Sequence, residues 1–137
     1  MRHRSQRCRS FEQMPTGTDV EMQRAGILWD GVKAPAWAGD RVLARLGERS
    51  GAVLRDPWSD TLYWLIRPGA ADGWRLPHVT VLGVACYVAV PPVHRTNGLG
   101  PHWAVPPDHD RQLTDPALLH EALAYAVGAA YGGQDAR

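Results

Sequence analysis

An apolar run, Val84 to Val90, stops abruptly at Pro91-Pro92, and this junction leaves the chain few architectures. The run is rich in β-branched and aromatic residues, which predicts a fully buried strand at the centre of a sheet. Neither prolyl nitrogen can donate to a ladder, so the strand ends there. A polar loop with His94, Arg95, Asn97, Gly98 and Gly100 follows, and then a second short strand, His102 to Val105. A core strand that delivers a polar loop to a sheet edge is a common way to build a site.

Upstream, Gly26 to Val32 predicts a first strand, and Asp40 caps a helix whose residues Val42, Leu43 and Leu46 share one face. Gly51 supplies that helix with a left-handed stop. Ala52–Arg55 and Thr61–Arg67 pair as a hairpin across Asp56-Pro57-Trp58-Ser59-Asp60, a sequence suited to a turn. A loop from Pro68 to Pro77 leads to another strand, His78 to Leu82. Near the C-terminus Asp115 sits at a capping position with Pro116 at the first helical position. Leu118, Leu119, Ala122, Leu123, Ala126 and Val127 give this helix a broad apolar face, and Gly132-Gly133 ends it. The fold class expected is α+β, a mostly antiparallel sheet with a central helix and a C-terminal helix.

At 137 residues the chain has room for one core. We expect a disordered basic tail over 1–19, a single domain over 20–132 and a short tail over 133–137. Arg2, Arg4, Arg7 and Arg9 make the first tail basic, as a solvated start or a contact for nucleic acid or an acidic partner. No apolar stretch follows them, so a signal peptide is not expected here. The net charge of +1 gives no composition argument for nucleic-acid or membrane binding. Of the 15 basic residues only Lys33 is a lysine, a bias that fits a GC-rich bacterial genome. Cys8 and Cys86 are poorly placed to pair, which favours a reducing cytoplasm and makes Cys86 a small buried hydrophobe. No segment is long and apolar enough to span a bilayer, so no membrane partner is expected.

The segment Tyr87-Val88-Ala89-Val90-Pro91-Pro92-Val93-His94, followed by the aromatic strand at Trp103, resembles the N-terminal domain family of bifunctional DNA primase/polymerases, in the archaeo-eukaryotic primase superfamily. Thr16-Gly17, Leu28-Trp29-Asp30 before Ala34-Pro35, and the Asp56-Pro57 to Tyr63-Trp64 hairpin fall where the family has counterparts. The likeness spans roughly Gly17 to Gly132 and corresponds to the latter part of such a domain. It implies nucleotidyl transfer by two metal ions held between carboxylates. This chain departs from that pattern in three places. Asp30 is the sole remnant of an acid-x-acid pair, with Lys33 close by to repel cations. Leu62 stands where the family has a nucleotide-contacting His, and His78 to Leu82 lacks the third carboxylate. The resemblance therefore implies a catalytically degenerate relative. No cofactor is expected, with Mg or Mn required only if the chain were active.

Arg67, Arg75, His94, Arg95 and Trp103 form the expected binding face, with Trp103 stacking on a base and the arginines meeting phosphates. The competing assignment makes Trp103 core and the arginines solvated strand ends. Asp108-His109-Asp110 is the tightest acid/His cluster, read as an exposed polar turn rather than a metal site. The expected function is a non-catalytic accessory or regulatory protein that binds single-stranded nucleic acid or a nucleotide. The alternative is a protein-interaction module without nucleic-acid contact, and an active primase/polymerase is the third.

Overall fold

The computed structural model describes residue 17, residues 19–108 and residues 112–130. The basic tail apart from Gly17 and Asp19, the Gly132-Gly133 stop and the 133–137 tail lie outside the described residues. The elements are β1 (Glu21–Arg24), β2 (Asp30–Pro35), α1 (Ala36–Leu46) with a 3-10 turn (Gly47–Arg49), β3 (Val53–Asp56), β4 (Thr61–Ile66), β5 (Thr80–Leu82), β6 (Tyr87–Val90), β7 (His102–Val105) and α2 (Pro116–Ala130). Five strands form one sheet in the order β5-β2-β4-β3-β7, and β1 with β6 makes a separate ribbon. Every pairing is antiparallel. This is the α+β class.

The central strand is β4, and its sequence says why. Leu62-Tyr63-Trp64-Leu65-Ile66 is apolar without interruption because both faces of the strand are covered. Leu62, Trp64 and Ile66 join Val42 of α1 and Leu119 and Leu123 of α2 in one core. Leu65, with Leu54 and Trp103, packs on the other side against Trp29, Val88 and Val90 in a second core. The molecule thus has three layers, helices, sheet and ribbon. Of the expected centrepiece, Val84 to Val90, only Tyr87–Val90 is strand, and it belongs to the ribbon and not to the middle of the sheet. Its residues alternate, Val88 and Val90 inward, Tyr87 exposed and Ala89 half-buried. Val84 is exposed as well, in a turn where Cys86 N–H donates to the Gly83 carbonyl and Ala85 takes φ +75°.

The helix α1 begins earlier than Asp40 predicts. Pro35 is its N-cap and gives no side-chain bond, but the Ala36 amide donates to the Asp60 carbonyl at 2.8 Å. A distant loop thus satisfies an orphan donor of the first turn. Asp40 instead lies inside the helix and pairs with Arg55. The left-handed stop is Gly47 (φ +54°) rather than Gly51, whose amide donates to Thr114 Oγ1. Gly39 lets α1 sit directly on β4, for a Cβ there would lie 3.0 Å from Leu62 Cδ2.

The helix α2 starts as its sequence predicts. Asp115 Oδ1 accepts from the amides of Ala117 (2.8 Å) and Leu118 (3.3 Å). It lies along α1, where Arg45 donates to Glu121 at 2.7 Å and stacks over the Tyr125 ring at 3.9 Å. Among the described residues no helix is long and apolar enough to cross a membrane.

Candidate functional site

The residues expected to form one binding face lie at two ends of the sheet. Arg67 directly follows Ile66, whose partner across β2–β4 is Asp30. Trp103 pairs with Leu54, which pairs with Tyr63, three residues back along β4 and two strands over. Strand rise and spacing then separate the two groups by roughly 14 Å. Arg67 and Arg75 border the first end, and His94 and Arg95 the second.

At the second end Trp103 is 1% exposed, and its indole N–H donates to the Pro91 carbonyl at 3.1 Å. A base cannot stack on a ring enclosed in this way, so the expected stacking role is not available to Trp103. What it does is bind the chain after β6 to the edge strand β7. The exposed indole here is Trp58, 76% accessible at the tip of the β3–β4 hairpin. Its position is held from behind, since Asp56 Oδ1 accepts the Trp58 amide at 3.0 Å while Oδ2 accepts the Ser59 hydroxyl. Gly100 abuts its ring, with an added Cβ falling 3.3 Å from Cζ2. The same loop carries exposed His94 and half-buried Arg95, and the Arg95 carbonyl accepts the Trp103 amide. His102 Nδ1 meets the Gly100 carbonyl at 2.9 Å, and since a carbonyl only accepts, that nitrogen holds a proton. The signal for Trp58 was in the sequence, because an aromatic inside a tight polar turn has no core to enter.

The first end holds a cavity of about 600 Å³ lined by Asp30, Pro68, Asp72, Trp74, Val79 and Val81 among others. Asp30 is 5% exposed. Its Oδ2 accepts the Gly69 amide at 2.8 Å, while Oδ1 meets no donor among the described residues. Gly83 keeps the approach to Oδ1 open, for a Cβ there would stand 3.6 Å from it. Lys33 does not face this carboxylate. Three residues along a strand reverse the direction of the side chain, and Lys33 instead lies 6.0 Å from the Tyr63 ring centre on the other face. Leu62 is wholly buried beneath α1, and β5 (Thr-Val-Leu) contributes no acid. Among the described residues no group of three or more His, Cys, Asp or Glu is arranged to hold a metal ion. Asp108 is exposed, and the rest of its cluster, His109-Asp110, lies outside the described residues.

No protein family, curated protein or solved structure matches this chain.

Proposed function

We propose that this chain is a non-catalytic binding protein for single-stranded nucleic acid, in which Trp58 stacks on a base and the His94–Arg95 loop contacts the backbone beside it. The single observation that carries this reading is the 76% exposed indole of Trp58, on a backbone anchored by Asp56 and with its ring beside Gly100. A large apolar ring standing in solvent is poised for stacking, which contributes about 1–3 kcal/mol per base. An accessory or regulatory role in DNA replication, in the cytoplasm, belongs to the same proposal and rests on the likeness of the Tyr87 to His94 segment. The non-catalytic part of the proposal rests on the carboxylates that line this cavity among the described residues, Asp30 and Asp72, where two-metal transfer needs several that converge.

The test is a salt titration of a labelled single-stranded oligonucleotide. Binding should weaken as salt rises, Trp58→Ala should lower affinity at every salt concentration, and Arg95→Ala should also flatten the salt slope. No binding at low salt by the folded protein would refute the proposal. Primer extension with Mg or Mn should give no incorporation, and incorporation abolished by Asp30→Ala would overturn the non-catalytic assignment. A protein-interaction module is the second reading, favoured by the outer side of the ribbon. There Met22, Ile27, Val84 and Tyr87 are all more than half exposed, and Ile27, Val84 and Tyr87 line one groove with Arg24.

A further inference from the structure

The cavity beside Asp30 has features that the stacking surface at the hairpin does not use. Its one deeply buried charged group is the Asp30 carboxylate, 5% exposed and bordering open space with an unengaged Oδ1. Oδ1 opens onto the cavity rather than being sealed in the core, so a ligand that supplies N–H groups can reach it. Oδ2 has spent one lone pair on the Gly69 amide and retains another. The two oxygens together therefore suit a planar pair of adjacent N–H donors. Trp74, Val79 and Val81 supply aromatic and apolar walls, and the volume falls in the range of small-molecule sites.

Charge at the rim narrows the ligand further. Arg67 and Arg75 are exposed, stand at the two ends of the lining segment 68–74, and make no ion pair among the described residues. Asp72 in that segment offsets one of the two charges, so a simple organic cation would satisfy Asp30 but leave the arginines without a full counter-charge. A ligand with donors at its inner end and an anion at its outer end satisfies all three groups. We infer that this cavity is a guanine site, with the N1–H and 2-amino groups of the base donating to Asp30 and a phosphate lying outward toward Arg67 and Arg75. Adenine, cytosine and uracil do not present that adjacent pair of donors. The site is separate from the Trp58 surface, so either can fail without the other. The guanine belongs either to a free nucleotide or to a nucleic-acid strand.

Calorimetric titration of the full chain with GMP, IMP, AMP, CMP, UMP and XMP tests this. GMP should bind at least about ten-fold more tightly than AMP, CMP or UMP, with IMP, which lacks the 2-amino group, in between. In Asp30→Asn the side-chain oxygen can still accept from Gly69, which turns the amide NH₂ toward the cavity. Guanine affinity should then fall and XMP, with an acceptor at position 2, should overtake GMP. Arg67→Ala and Arg75→Ala should weaken GMP but not guanosine. A second arm uses short single strands with and without one guanine. Preference for the guanine strand with no GMP binding would retain the site and assign it to nucleic acid. Equal binding of all bases, or no binding of GMP and of both strands, would overturn the guanine assignment. The mononucleotide titrations bear on the guanine site alone, whereas unchanged oligonucleotide binding on Trp58→Ala, or no binding of either strand, would overturn the earlier proposal.

Discussion

Replacing Trp103 by Phe separates a structural tryptophan from a ligand-binding one. Trp103 is 1% exposed, and its indole N–H is the donor to a proline carbonyl, Pro91, that is itself buried. Phenylalanine keeps an aromatic ring in the second core but removes that donor, and an unsatisfied buried carbonyl costs about 1–3 kcal/mol. The smaller ring also leaves a void of roughly 40 Å³, worth about 1 kcal/mol if the surroundings do not collapse. The sum is a loss of about 2–4 kcal/mol. Urea denaturation followed by circular dichroism should register it as a fall in midpoint of about 1–2 M at unchanged slope. Trp58→Ala, at the hairpin tip, should move stability by less than about 0.5 kcal/mol while it lowers oligonucleotide affinity. If Trp103→Phe leaves the midpoint in place and instead abolishes oligonucleotide binding, the roles given to the two tryptophans are reversed and the reasoning fails.

Asp115→Ala removes the acceptor for two amides at the start of α2 and should cost about 1 kcal/mol in thermal or chemical denaturation. Gly26→Ala should cost about 1–3 kcal/mol, because φ is +91° there and an added Cβ would fall 2.6 Å from the Val84 backbone nitrogen. The hydrogen bond from Arg45 holds the exposed Glu121 carboxyl below its ordinary value of 4.5. A carboxyl depressed in the folded state adds stability above its unfolded value and loses it as pH falls through the folded one. Glu121→Gln should therefore slightly flatten the decline in denaturation midpoint below about pH 4.5.

Local chemistry was legible where a residue's partner lies nearby in the chain. The Asp115-Pro116 start of α2 and the Asp56–Asp60 turn are of this kind, and both formed as their sequences predict. The start of α1 was not legible, because its first amide is satisfied by Asp60, a residue well downstream, while Asp40 found Arg55. The strand run Val84 to Val90 misled because composition does not distinguish a strand buried on both faces from one side of a ribbon. The both-faces pattern was present in Leu62 to Ile66. Of the expected site residues, Asp30 does border a cavity and His94 and Arg95 do share a loop. Trp103 changed role because an aromatic in an edge strand can point to either side, and only the course of the chain through Pro91 decides which.

The ribbon joins Glu21 to Val90, so one side of the central sheet is closed by segments from opposite parts of the chain. On the ribosome β1 emerges early and waits, unpaired, until β6 and then Trp103 have been made. Until that moment Leu54 and Leu65 present a bare greasy surface, and closing so long a loop is the kind of slow step that invites association between nascent chains. Polypeptides stalled short of Pro91 should be the species that chaperones hold and proteases clear.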